Sequence, residues 1–420
     1  MTDSGAAAPT DARATPARQA LSLALIAVTL ALAYGIWYAY SVFLVALLKD
    51  FGWSRSSLGG AFSLFAIVQG SANPLLGMLC DRVRPPLIVA VGSVLLGGAL
   101  YLDSYISEPW HLYLCFGGLT AVAVALCGWI PAVVQVQRRF KKNLGLAIGI
   151  VSSGVGVGIL VVVPLSEHLI ETYGWRDAFR VLGVISTALV LPAALFLLRE
   201  TPPATRPAAR EAKADGAPAV TLGEATRTLP FWLMVGTFFC GSLCSQTLHV
   251  HQVAFLVDHG LSAMLAASVV GVVGVASIFG KTGGGWLSDR VEREFVYIGG
   301  VAILICAVLA LLAVGTAPTT WGAYGFAVLL GIGYAVTAAI VPAMVADRFQ
   351  GRHFGAILGV GLFGSSAGSA FGPWLSGYLH DLTGAYTLPF AIAAGCGVLA
   401  IVAAATARRL RRGVARAAAG

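Results

Sequence analysis

Lys281 is a lone cation inside a long apolar run, Val269 to Leu287, about eight residues or roughly 12 Å along a helix from Asp289. A charge at that depth is costly and normally faces a cavity or a partner, so its chemistry is electrostatic capture of an anion. The competing reading is a flexible lysine stem that snorkels its ammonium to the nearer interface. Asn73, 208 residues earlier, is also polar within an apolar run. Matched polar positions in two such runs suggest one shared cavity with a single fixed positive charge. His249 and His251 follow in another run; at about 200° apart they cannot share a helix face. A histidine of ordinary pKa can exchange a proton near neutrality, or simply serve as a satisfied helix contact. Tyr34, Tyr38 and Tyr334, with Trp37 and Trp129, could line the same cavity or merely pack. Two Asp–Arg pairs, Asp81–Arg82 and Asp289–Arg290, each close a Gly-x-x-x-Asp-Arg turn. Such pairs can form ion pairs and cap neighbouring helix ends, as a latch that opens and closes, or they can be simply topogenic.

The elements that must position these groups are membrane helices. The chain has 420 residues, of which 58% are hydrophobic and only 11% charged. A soluble domain of this size carries about 25% charged residues, and disorder requires far less apolar content. Glycine, at 51, suits helices that pack closely in lipid. Runs of about 20 apolar residues can cross a bilayer. Twelve are present, at 21–48, 56–80, 86–106, 111–137, 144–168, 178–198, 229–256, 262–287, 296–315, 320–346, 354–379 and 386–407. The proline-rich stretch 199–228 reads as a linker between six-span halves, 20–198 and 229–407. Residues 1–19 read as a disordered tail and 408–420 as a basic one; the apolar stretch after Arg18 is too long for a cleaved signal peptide.

Of 27 Lys and Arg, the tails and loops on one side hold 22 and those on the other side 4, leaving Lys281 within a span. That bias places both termini in the cytoplasm, as a multi-pass protein of the inner, cytoplasmic membrane. Trp53, Trp110, Trp175 and Trp321 fall at the outer ends of spans, where an aromatic belt belongs. The net charge of +8 is therefore topological rather than a nucleic-acid surface. The seven cysteines mostly lie within spans and read as small packing residues, without a metal-ligand spacing. No catalytic set, cofactor loop or zinc motif is present, so neither an enzyme nor a cofactor is expected.

The halves repeat. Gly77-Met-Leu-Cys-Asp81-Arg82 returns as Gly285-Trp-Leu-Ser-Asp289-Arg290, and Gly52 and Ser54 return as Gly260 and Ser262, all at an offset of 208. Arg139-Phe140 pairs with Arg348-Phe349 and Pro164 with Pro373 at 209, and Gly145 and Gly149 with Gly355 and Gly359 at 210. Duplicated bundles place a cavity between the halves near the mid-membrane. Glycines at four-residue spacing, 145, 149, 154 and 158, then 355, 359, 364, 368 and 372, mark close helix contacts that rocking halves could also exploit.

These turns, the six-plus-six duplication and the central loop resemble the major facilitator superfamily over residues 20–407. The first turn departs from that pattern, because Val83-Arg84-Pro85 lacks the second glycine. The resemblance implies an all-α fold of twelve transmembrane helices in two duplicated six-helix bundles, with Asp81, Arg82, Asp289 and Arg290 as gating residues. Phe279-Gly280-Lys281 with Gly285-Trp286-Leu287-Ser288-Asp289-Arg290 resembles span eight of the monocarboxylate transporters and the bacterial oxalate/formate group. Tyr34 to Phe43, Phe51-Gly52-Trp53-Ser54 and Gly174-Trp175-Arg176-Asp177-Ala178-Phe179 are similar to the same group. There an arginine at the position of Lys281 binds the substrate carboxylate; lysine keeps the charge but loses the bidentate fork. The bacterial relatives often carry a histidine resembling His251, which favours His251 over His249 for the cavity. An aspartate one turn before the arginine is replaced here by Ser277, and no acidic residue falls in a span's middle. Proton symport would then need His251 or a protonated substrate, whereas anion exchange needs neither.

The expected function is secondary transport of a small organic anion, a monocarboxylate, by alternating access, as proton symport or anion exchange. Lys281, Asn73, His251, Tyr34, Tyr38 and Tyr334 are the expected substrate contacts. The partners are the carboxylate, protons and the bilayer, with no nucleic acid and a monomeric functional unit. The alternatives are an exporter of neutral or amphiphilic molecules and a transport-inactive membrane sensor. A sensor should carry a sizeable soluble output domain, and the longest interruption here is about 30 residues.

Overall fold

The computed structural model describes residues 16–140, 144–200, 222–348 and 354–417. Helices account for its regular structure: α1 Pro16–Phe51, α2 Arg55–Arg82, α3 Pro85–Asp103, α4 Pro109–Leu112, a π-helical stretch Tyr113–Thr120, α5 Ala121–Leu126 and α6 Trp129–Arg139, then α7 Leu144–Tyr173 and α8 Trp175–Glu200. After a short α9, Leu222–Ala225, come α10 Leu229–Asp258, α11 Ala263–Ser288, α12 Arg293–Thr316, α13 Thr320–Arg348, α14 Phe354–Thr383 and α15 Thr387–Ala417. Among the described residues, eleven spans are long and apolar enough to cross a membrane. The fourth expected span is assembled from α4, the π-helical stretch, α5 and α6, broken at Cys127 and Gly128. The eleventh expected span is α14, lodged against α2 and α10.

The duplication is written into the turns. Ser54 accepts a hydrogen bond from the Ser57 amide and caps α2; Ser262, its duplicate, accepts from Leu265 and caps α11. Among the described residues, the four glycines at positive φ form two duplicated pairs, Gly52 (64°) with Gly260 (87°) and Gly174 (82°) with Gly384 (70°). Each ends a helix in the left-handed region, where only glycine is free of a Cβ clash.

The glycine ladders pack within each half. A Cβ on Gly158 would run into the Ala31 carbonyl, which holds α7 on α1, and one on Gly368 into the Phe239 carbonyl, which holds α14 on α10. The halves then meet along two seams. In one, Gly156 of α7 faces Gly274 of α11; in the other, Gly59 of α2 faces the Pro373 carbonyl of α14. The helix ends at Arg82, Arg139, Glu200, Ser288 and Arg348 lie toward one face, which is the arginine-rich one and is called the basic face below.

Two acidic residues at span ends are buried in protein rather than wet. Asp103 is fully buried at the end of α3, where one carboxylate oxygen accepts from the Thr120 hydroxyl at 2.8 Å. Glu167 is also buried, six residues before the end of α7.

Candidate functional site

Polar and aromatic side chains from both halves converge where α1 meets α10 and α13. Tyr34, Trp37 and Tyr38 come from α1, Gln69 from α2, Gln246 and His249 from α10, and Tyr334 from α13. The ring of Tyr38 lies 5.0 Å from His249 and 6.2 Å from Tyr334, and His249 meets Tyr334 edge-on at 4.7 Å. Tyr34 stacks on Trp37 at 5.7 Å and lies beside Gln69 and the Trp129 backbone. Trp37, Tyr38, Gln69, His249 and Tyr334 are all buried.

Among the described residues, four buried polar atoms in this cluster have no hydrogen-bond partner of good geometry: Trp37 Nε1, Gln246 Oε1, His249 Nε2 and the Tyr334 hydroxyl, the Gln246 and Tyr334 side chains both lying beside the Tyr38 hydroxyl. Buried polar groups are normally satisfied, so a concentration of orphans at one place marks either strain or a ligand site. Together they offer donors and acceptors inside an aromatic wall, the composition of a small-molecule pocket. His249 Nδ1 lies 2.8 Å from the Ser245 carbonyl, which can only accept; that nitrogen therefore carries the proton and Nε2 is left as an acceptor.

Lys281 lies on the α7–α11 seam. Its ammonium donates across the seam to the Ser152 carbonyl at 3.5 Å and is part-buried. The register of α1 on α7, with Gly158 at Ala31 and Gly154 at Ala27, puts Ser152 level with about residue 25. On this seam Lys281 lies nearer the basic face than Tyr34. The α13 helix bridges the two levels, since Gly280 packs on Ile332 and Ala335, next to Tyr334. Asn73 is half-buried on α2, one turn from Gly70, which abuts Ser366 of α14. The duplicated polar pair therefore flanks the two seams between halves.

The structure brings Tyr34, Tyr38 and Tyr334 together and places His249, not His251, among them. His251 is fully buried nearer the other face, with both ring nitrogens engaged, 3.0 Å from the Tyr386 hydroxyl and 2.8 Å from the Pro373 carbonyl. The sequence reading missed Gln69 and Gln246 and preferred His251 to His249. A signal was available: Gln246 and His249 stand three residues apart on one helix face, both polar in an apolar span.

At the basic face, Arg82, Asp289 and Arg290 are exposed, while the Asp81 side chain lies outside the described ones. Arg290 folds back on its own helix, donating to the Trp286 carbonyl at 3.1 Å and lying 3.9 Å over the Trp286 ring. At the opposite face the halves are bolted. Arg55 of α2 pairs with Asp258 of α10 at 2.7 Å and donates to the Tyr386 hydroxyl at 2.6 Å. Asp381 of α14 accepts the backbone amides of Arg55 and Ser56 at 2.9 and 2.8 Å, capping α2 from the other half. In the Gly174–Phe179 stretch, Trp175 and Arg176 both donate to Asp50, which ties the start of α8 to the end of α1.

Two apolar grooves lie away from the polar cluster. One, of about 340 Å³, is lined by Phe279, Leu287, Phe295 and glycines of α11 and α12. The other, of about 410 Å³, opens at the α2–α14 seam between Ile67, Phe239, Phe363 and Trp374.

Comparison with known proteins agrees with this architecture. The Major Facilitator Superfamily model matches residues 26–341 and 284–420. Monocarboxylate transporter 13 of Bos taurus is 30% identical over 387 residues, covering 88% of this chain and 85% of that protein. Its Rattus norvegicus counterpart is 29% identical over 394 residues, with the same coverage of 88% and 85%. Human monocarboxylate transporter 11 is 28% identical, covering 86% of this chain and 76% of that protein. A crystal structure of a bacterial homologue of the human lysosomal transporter Spinster, inward-facing and unoccupied, superposes with a TM-score of 0.71 at 18% identity, covering 94% of this chain and 96% of that one. The chain belongs to the major facilitator superfamily and, within it, is monocarboxylate-transporter-like. It is a multi-pass membrane transporter, not an enzyme.

Proposed function

We propose that the protein carries a small organic anion, a monocarboxylate, across the cytoplasmic membrane by alternating access, with both termini and the basic face in the cytoplasm. The observation that carries this reading is the position of Lys281, a cation at a seam between the halves, on the basic side of a cluster of orphaned polar atoms. A carboxylate entering between the halves would gain an ammonium partner whose hydrogen bond among the described residues is a long one, to the Ser152 carbonyl. Tyr34, Tyr38, His249 and Tyr334 would contact the rest of the substrate, and Asn73 would offer a second polar contact at the other seam. The naming of its relatives as monocarboxylate transporters supports the same class. The bolted latch face and exposed motif at the basic face fit a carrier open toward the cytoplasm, with Asp81, Arg82, Asp289 and Arg290 engaging in the opposite state. His251, with both nitrogens engaged away from the cluster, is assigned to the latch rather than to the substrate. The 410 Å³ apolar groove at the α2–α14 seam favours a second reading, transport of an amphiphile entering from the bilayer.

The test is uptake of labelled short carboxylates into proteoliposomes by wild type and Lys281→Gln, with a pH gradient in one arm and internal carboxylate in another. Saturable uptake that falls at least tenfold in the variant is expected; the two arms then separate symport from exchange. Correctly inserted wild type that moves no carboxylate would overturn the reading and promote the amphiphile.

A further inference from the structure

The hydrogen-bond directions around His251 are fixed by chemistry. The Pro373 carbonyl can only accept, so His251 Nε2, 2.8 Å away, carries a proton and donates it. With Nε2 protonated, a neutral ring leaves Nδ1 as an acceptor, and the Tyr386 hydroxyl at 3.0 Å donates to it. The Tyr386 oxygen is then free to accept from Arg55, which it does at 2.6 Å. The chain therefore runs in one direction, from Arg55 through Tyr386 to His251. Its far end is the inter-half bolt, because the same guanidinium pairs with Asp258 at 2.7 Å.

We propose that His251 is a proton-binding switch: a proton on Nδ1 breaks this chain and releases the latch that bolts the two halves. The proton comes from water at the latch face, binds the Nδ1 lone pair and returns by the same route. An imidazolium would donate from both nitrogens. Tyr386 would lose its acceptor and would have to accept from two cations, Arg55 and His251, through one hydroxyl oxygen. Latch closure and proton binding thus oppose each other, and by linkage each weakens the other. The sign follows: the latch is at full strength where a wetted imidazole is neutral and weakens as the pH falls through the ordinary imidazole range.

The other groups facing this site are Arg55 on α2, Asp258 on α10, His380 and Asp381 on α14, and Tyr386 before α15. His380 packs 4.4 Å from the Tyr386 ring and is the competing sensor. Mobile-half transporters with such a switch would open toward an acidic medium on the latch face, whatever their cargo. Only the transport consequence rests on the carrier reading above.

The experiment measures the separation of spin labels at Tyr173→Cys and Trp321→Cys in the full chain. The background is cysteine-free, the protein is in lipid nanodiscs without substrate, and the pH is taken from 7.5 to 5.5. The expected result for wild type is an increase of about tenfold in the ratio of wide to narrow populations, the protonation ratio for a group of pKa about 6.5 across that window. His251→Gln, which keeps a donor for Pro373 but takes no proton, is expected to stay narrow at both values. Tyr386→Phe should lose the response, and His380→Gln should keep it. A wild type indifferent to pH, or a response that survives in His251→Gln and Tyr386→Phe but vanishes in His380→Gln, would overturn the proposal. Carboxylate exchange at equal pH on both sides, run in parallel, tests the carrier reading separately.

Discussion

Lys281 and the orphaned cluster illustrate how a binding site is purchased with stability. The Tyr334 hydroxyl and His249 Nε2 are buried with no partner, which costs about 1–3 kcal/mol for each such group. Tyr334→Phe is therefore expected to hold or raise the melting temperature in a thermal-unfolding assay, while weakening substrate affinity about tenfold in an uptake assay. A drop in both would mean that the hydroxyl is satisfied in the protein and is not reserved for a ligand. His249→Ala should raise the half-saturating carboxylate concentration, where His251→Ala should chiefly alter the closure of the latch; equal effects on affinity would return His251 to the substrate site. The charge at 281 was legible because a lone lysine in an apolar span is conspicuous. The choice between two histidines was not, because helix phase relative to a distant half is a property of packing.

Among the helices, the glycine spacing identified close contacts but not the partners. Gly158 and Gly368 hold α7 and α14 to their own halves, whereas Gly156 faces the other half across the α7–α11 seam. Gly158→Leu should thus overpack the interior of a bundle, with a loss of about 1–3 kcal/mol or more, read as a fall in the yield of folded protein. Gly156→Leu should leave the bundle folded but hinder the approach of the halves, read as slower uptake at normal expression. Equal loss of folded protein in both would show that the seam is as integral to folding as the bundle contacts. The twelve spans were legible from hydropathy, and the pairs Gly52–Gly260 and Ser54–Ser262 already marked equivalent turns. The segmentation of the fourth span at Cys127 and Gly128 and its π-helical stretch was not, because an unbroken apolar run carries no mark of how its backbone hydrogen bonds are shifted.

For the protein entire, the asymmetry between faces sets the conformation. The bolt at Arg55 joins two helices of the other half and the turn before α15, through Asp258, Asp381 and Tyr386. Arg55→Ala keeps the Asp381 cap on the backbone but removes two hydrogen bonds that involve a charge, each worth about 1.5–3 kcal/mol when well buried and less at this partly exposed site. A shift of roughly tenfold toward opening at the latch face is expected, read as faster labelling of a cysteine placed at Tyr38 by a membrane-impermeant reagent added to that side. No change in labelling would mean that the α2–α14 backbone contacts alone close this face. Reduced labelling from the basic side should accompany the shift, since alternating access couples the two.

Composition, hydropathy and the repeat determined the class, the twelve helices and the duplicated turns, because each depends on the local match between side chains and lipid or on backbone angles that only glycine tolerates. Spacing also exposed Lys281 and Asn73. Which face of each helix meets the other half, that His249 rather than His251 joins the tyrosines, and that Arg55 rather than the Asp–Arg motifs bolts this state were set by tertiary packing. Those contacts join residues about 200 to 330 positions apart, such as Arg55 with Asp258, Asp381 and Tyr386, and their geometry depends on the tilt and register of six-helix bundles that no local pattern encodes.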